Sequence, residues 1–251
     1  VVKSIRNAAA DLIAYFPPPL PEATATTPLY LLIGTERGFC GDFNHALLRR
    51  LEALPQTQAP SRPRLIAVGR KLCTLLEDDE RVVAMLDGAT VGDEVTDLLD
   101  QVVNKITTTQ DACAIPTVHC LYHGSEEDIA MQQLLPPFQD LLQTPQHYPH
   151  PPVLNVPPAE LLAELADHFL FAALHEMLYT SLMVENHYRI THLEGAMKHL
   201  DNQWEELGRK CNALRQEEIV EEIEVMLLSA SNLGDDPERG SGNNSKSRRL
   251  G

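Results

Sequence analysis

The sequence predicts an α/β protein: a Rossmann-like α/β domain inserted against a long C-terminal coiled-coil helix. Three observations carry that reading. Between Pro28 and Pro152 short apolar runs alternate with amphipathic stretches, the pattern of a parallel or mixed sheet covered on both faces. From Ala159 to Leu233 there is no proline, and a helix of that length would span roughly 100 Å at 1.5 Å per residue. Within it, apolar residues step by three and four in alternation, the a/d seam of a coiled coil.

The elements follow in order. Val1 to Phe16 reads as the end of a helix, with Ile5, Ala9, Leu12 and Phe16 on one stripe. Pro17, Pro18, Pro19 and Pro21 stop it, because proline lacks the N–H and clashes with the preceding turn. Leu29 to Ile33 is a buried strand ending at Gly34. After the loop from Thr35 to Asp42, Phe43 to Leu54 is a helix with Leu47, Leu48, Leu51 and Leu54 on one side. Arg64 to Val68 is a strand ended by Gly69, and Lys71 to Leu76 a helix. Val91 to Ile106 is a helix carrying Val95, Leu98, Leu99, Val102 and Ile106, and Thr117 to Tyr122 a strand. The proline-rich stretch from Leu135 to Pro158 is an extended connection. The domain plan is therefore 1–16, the end of an N-terminal helix; 28–152, the α/β domain; 159–233, the long helix; and 234–251, a tail of Gly, Ser, Asn and charge predicted to be disordered.

The coiled-coil seam is Ile190, Leu193, Met197, Leu200, Trp204, Leu207, Cys211 and Leu214. Glu194, Lys198, Glu205, Glu206, Arg209 and Lys210 form the solvated face. The phase slips after Leu214 and resumes at Ile219, Ile223, Met226, Ala230 and Leu233. A seam needs a partner helix. The stretch from Val1 to Phe16 is too short to supply it, so the chain self-associates or a long helix preceded Val1. Packing of the seam on the chain's own domain is the plainer reading, but the helix is too long for that domain to cover.

Composition narrows the function. Against 20 Lys and Arg stand 36 Asp and Glu, a formal net charge of -16. That argues against nucleic acid as the main partner, since phosphate binding needs a basic face, and weighs against docking on anionic lipid. No apolar run is long enough to span a bilayer, and the chain opens on Val1 with no signal peptide. Cys40, Cys73, Cys113, Cys120 and Cys211 are odd in number and contain no CxxC pair, which points to a reducing compartment rather than a disulfide framework.

Chemistry-bearing candidates are few. Gly38 to Gly41 lies after a strand and before a helix, where backbone N–H groups can cradle phosphate, but the full GxGxxG pattern is absent. Cys40 could act as a nucleophile with His45 as base. The alternative is that the glycines allow a tight turn and Cys40 is a small apolar residue under the sheet. Among the histidines, His147 and His150 lie in a proline loop, and His168 and His175 lie two turns apart on a helix. His175-Glu176 lacks the second His of a zincin motif, so no metal site is assigned.

Two motifs resemble a known family, the gamma subunit of the F-type ATP synthase. The first, Gly34-Thr35-Glu36-Arg37-Gly38-Phe39-Cys40-Gly41-Asp42-Phe43-Asn44, is similar to the family's S/T-D-R-G-L-C-G-x-x-N segment, and Gly69-Arg70-Lys71 to its G-x-K. The second lies on the long helix: Glu185-Asn186, Arg189, Met197-Lys198 and Asp201-Asn202, then Asn212-Ala213-Leu214-Arg215-Gln216, Ile219 and Glu222. The resemblance runs from Leu12 to Leu233. It implies a central rotor shaft with no catalytic, cofactor-binding or metal-binding residue of its own. The shaft couples proton flow through the membrane ring to conformational change in catalytic subunits. It implies as partners the alpha and beta subunits, the epsilon subunit and the membrane c-ring. It also implies a peripheral position on the cytoplasmic face of an energy-transducing membrane, the bacterial inner membrane. It assigns Arg215, Gln216 and Glu222 to contact with the beta subunit.

The departures from the family are specific. Most of the family's N-terminal helix, on the order of 60 residues at 1.5 Å each, has no counterpart here. Val220 stands where the family has Thr, and Asn155 where many members have an acidic residue. The chain is acidic and carries an added tail. Two alternatives accompany the shaft reading: an α/β nucleotide-binding enzyme dimerised through the coiled coil, and a non-motor scaffold derived from the shaft. Gly195 and Gly208, each costing about 1 kcal/mol inside a helix, are expected where another chain approaches closely.

Overall fold

The computed structural model describes residues 1–17, 27–54, 63–109, 117–126, 128–143 and 153–234, the last four of these without side chains. Pro18, Pro19, Pro21, Cys113, His147, His150 and the tail beyond Gly234 lie outside the described residues. The chain divides into a unit from Val1 to Glu194 and a second from Gly195 to Gly251.

The first unit is built on a five-stranded sheet in the order β3-β2-β1-β4-β5. The strands are β1 (Leu29–Ile33), β2 (Arg64–Val68), β3 (Val82–Leu86), β4 (Val118–His123) and β5 (Ile129–Leu135). The first four are parallel, and β5 runs antiparallel on β4. β1 is central, with Leu31 opposite Ile66 on one side and Cys120 on the other. All five of its residues are buried, which explains its unbroken apolar run.

Helices cover both faces. The side chains of Leu29, Leu31 and Ile33 pack with α1 (Val2–Tyr15), α4 (Val95–Thr109) and the first turns of α5 (Pro158–Gly234). Those of Tyr30 and Leu32 pack with α2 (Phe43–Glu52) and α3 (Arg70–Leu75). Alternation along β1 thus sorts its residues between two cores, as the pleat requires. On α1 the buried stripe is Ala9, Leu12 and Ile13, while Phe16 ends outside the helix. On α5, Phe169, Ala173, Leu174, Met177 and Leu178 are buried at helical spacing.

Two strands escaped the sequence reading, both at sheet edges. Along β3, exposed and more buried residues alternate, with Val83 and Met85 facing out, so it lacks the uniform apolar run of a central strand. β5 carries Gln132 and Gln133 in its middle, which breaks the apolar run that marks a buried strand.

The parallel order 3-2-1-4 places a switch point at the C-terminal ends of β1 and β4, where open α/β sheets hold their ligands. Gly69 ends β2 there with φ of 104°, and a Cβ on it would lie 2.7 Å from the Thr35 carbonyl oxygen. Only glycine fits.

Candidate functional site

The switch-point crevice is closed by the chain itself. Phe43, the first residue of α2, stacks on His123 at the end of β4, ring centroids 3.7 Å apart. Tyr188 of α5 meets both rings, edge-on to Phe43 at 5.6 Å and to His123 at 5.9 Å. The Tyr188 hydroxyl donates to the Glu126 carbonyl, and His187 Nε2 lies 2.8 Å from the Glu126 carboxylate. His123 Nε2 is 3.0 Å from the Phe43 carbonyl oxygen, which makes it the donor there. Among the described residues, its Nδ1 and that of His119 are buried without a hydrogen-bond partner. Burial pushes both imidazoles below the ordinary histidine range.

Beside these rings lie two buried carboxylates. Glu185 of α5 is 4% exposed and Glu36 is 7% exposed. Glu185 accepts from the backbone N–H of Glu36 at 3.4 Å and of Arg37 at 3.2 Å, and from the Arg189 guanidinium one turn along. Glu36 accepts from the N–H of Arg70 at 2.9 Å and of Gly88 at 2.7 Å, and pairs with the Arg70 guanidinium at 3.1 Å. Burial pushes Glu185 above the usual carboxylate range, opposed by the Arg37 N–H and by Arg189. The backbone N–H groups of Glu36, Arg37, Arg70 and Gly88 are therefore occupied by the chain's own carboxylates. The two sequence motifs meet in this way across 149 residues.

Cys40 sits in a small cluster with Phe43, Val184 and Tyr188, against α5 rather than under the sheet. Its thiol donates weakly to the Arg37 and Gly38 carbonyls. Burial and the Glu185 charge raise its pKa, with Arg189 acting in the opposite sense, which suppresses the thiolate a nucleophile needs. His45 is exposed on α2. His175 packs on Tyr179. No group of three or more His, Cys, Asp or Glu among the described residues could hold a metal ion. Glu36, His123 and Tyr188 were not singled out for any role in the sequence. Glu36 lies inside the first motif and Tyr188 one turn from Glu185, which was the available signal; His123 had none.

In α5 beyond the crevice, the predicted seam is exposed, from 43% at Leu193 to 79% at Trp204. Arg215, Gln216 and Glu222 are exposed on the second unit. Ion pairs at i, i+4 join Arg209 to Glu205 and Lys210 to Glu206 on the same stretch. A Cβ on Gly195 or Gly208 would meet nothing within 4 Å, so no described residue requires those glycines.

An α/β unit of this order, with α5 packed across its crevice and continuing as an exposed heptad stripe, is the architecture that the sequence resemblance implies. The comparisons with known proteins agree: a family model described as ATP synthase matches residues 1–233, and the chain belongs to that family, as a gamma-chain member. The ATP synthase gamma chain of Fusobacterium nucleatum is 20% identical over 207 residues, covering 81% of this chain and 72% of the relative. That of Paracidovorax citrulli is 22% identical over 243 residues, covering 91% and 83%. Among solved structures, the central stalk and c-ring assembly of the Tetrahymena thermophila mitochondrial ATP synthase matches with a TM-score of 0.52 at 15% identity, over 78% of this chain and 86% of that one. The rotor of the Euglena gracilis mitochondrial enzyme matches with a TM-score of 0.50 at 17% identity, over 87% and 92%. At these identities the structures support the shared fold. Membership makes the chain a non-catalytic stalk subunit. No helix among the described residues is long and apolar enough to cross a membrane.

Proposed function

We propose that this chain is the central rotor shaft of an F-type ATP synthase, peripheral on the cytoplasmic face of a bacterial inner membrane. The observation that carries the proposal is the exposed heptad stripe from Ile190 to Leu214, on the helix of a gamma-chain member. That stripe is the face a second helix covers. The distal part of α5 stands among alpha and beta subunits, and the α/β unit rests on the membrane c-ring with the epsilon subunit. Catalysis takes place on the beta subunits. An asymmetric shaft favours a different conformation in each of them, and a partner shifts an equilibrium only through such differential binding. Proton flow through the ring turns the shaft in one direction, and ATP hydrolysis in the other.

Arg215 and Gln216, with Glu222, provide the contact to a beta-subunit loop. Arginine suits that role because its planar fork bonds a carboxylate through two N–H groups. The test is purification of the native complex from gently solubilised membranes, with each chain identified by intact mass. Recovery with alpha, beta and ring subunits supports the reading. Recovery alone, as a dimer of 27.9 kDa chains, would refute it.

A further inference from the structure

We propose that Glu185 and Glu36 are the positioning residues through which helix α5 drives the α/β unit, a reading that rests on the rotor role above. From Phe169 to Leu178, α5 meets the sheet through apolar side chains. Such packing is non-directional and resists twisting or axial slip of a helix only through shape. One oriented bond follows at once, from the Tyr179 hydroxyl to the Gly92 carbonyl at 2.8 Å, and the charged ones come about two turns beyond Leu178. There a single carboxylate on α5 receives two successive backbone N–H groups, those of Glu36 and Arg37. Arg189 holds the same carboxylate from the helix side and donates through Nε to the Gly38 carbonyl at 3.4 Å. Bonds to an ionised acceptor in a buried place are the strong, oriented ones.

The tie does not end at that loop. The side chain of Glu36 reaches the N–H groups of Arg70, at the start of α3, and Gly88, after β3. Two carboxylates in series thus bind α5 to the loops after β1, β2 and β3. The tied loop also holds Phe39 at a positive φ of 65°, a conformation a non-glycine residue keeps only where its surroundings over-determine it. A turn applied to α5 is passed to three loops of the sheet at fixed angles.

The experiment uses the assembled synthase in sealed vesicles and two readouts: amide hydrogen exchange at Glu36 and Arg37, and protons pumped per ATP hydrolysed. Glu185→Gln keeps the shape and removes the charge. Exchange at both amides should rise about tenfold, and pumping per ATP should fall. Arg189→Lys, which keeps a charge without the fork, should lower the ratio as well and serves where Glu185→Gln does not assemble. Glu205→Gln, in an exposed helical pair, is the control and should change neither. Unchanged exchange overturns the proposal, and so does faster exchange with an unaltered ratio, since the ties would then be local bracing. Failure of the unmodified chain to assemble with catalytic and ring subunits would instead refute the rotor reading, and the exchange readout on the chain alone would still report on the ties.

Discussion

Replacing Tyr188 by alanine removes the ring that closes the crevice between α2, β4 and α5. Two edge-on ring contacts are lost, to Phe43 and to His123, each worth about 0.5–1.5 kcal/mol beyond buried area. The hydroxyl bond to the Glu126 carbonyl adds about 0.5–1 kcal/mol at a half-exposed position. The expected loss for Tyr188→Ala is about 2–3 kcal/mol, below the range for a fully buried aromatic. Tyr188→Phe, which keeps the ring, should lose only the hydroxyl share, about 0.5–1 kcal/mol. Denaturant unfolding reads both. The probe should be near-ultraviolet circular dichroism of the tyrosines, because the only tryptophan, Trp204, is exposed on the other unit. A Tyr188→Ala loss under about 0.5 kcal/mol would refute the crevice argument, as would a Tyr188→Phe loss equal to it.

Acidification should destabilise the first unit. His119 and His123 have folded pKa values lowered by burial, so the unfolded chain takes up protons first as pH falls. Their stabilising contribution is full above the ordinary histidine value of about 6.5 and is lost as pH drops through the folded values. A denaturant midpoint that stays level from pH 7.5 into the acid range would contradict this, and His123→Asn should flatten the slope. Gly69→Ala should cost more than about 2 kcal/mol, since it combines a left-handed backbone with a Cβ against the Thr35 carbonyl; a neutral melting temperature would show the loop can move aside. Replacing Arg215 and Gln216 together by alanine should lower ATP turnover in the assembled complex, and unchanged turnover would reduce the pair to a solvated face. Arg209→Ala, at an exposed ion pair, should change stability by less than about 0.5 kcal/mol in thermal melts.

The central strands were legible because burial on both faces writes an unbroken apolar run: Leu29 to Ile33 and Arg64 to Val68 are bounded as expected. Edge strands carry no such signal. Val83 and Met85 face outward on β3, and β5 spends two of its seven positions on glutamine. The helix stripe of α4, Val95 to Ile106, was complete in the sequence because all five apolar residues named there are buried. The site was only half legible. The motif positions Glu36, Glu185 and Arg189 were visible as a resemblance, but their bonding joins residues far apart in the chain. No local pattern announces that a carboxylate will bind its own loop. His123 was hidden for another reason: a histidine at a strand end reads as surface until the ring that stacks on it is placed.

The self-filled crevice has a further consequence. Most sheets of this order change shape or stability when a metabolite enters the switch point, because a ligand favours the state that binds it. Here that place is taken by side chains at fixed, intramolecular concentration. The Phe43, His123 and Tyr188 rings need no ligand to hold α5 against α2 and β4, so that contact should keep its stiffness whether or not a small molecule enters the open cavity lined by Gly38, Gly41 and Lys71 beside it. A joint of that kind is stiffened by its own side chains at any ligand concentration, which is what a part that passes on a turn requires.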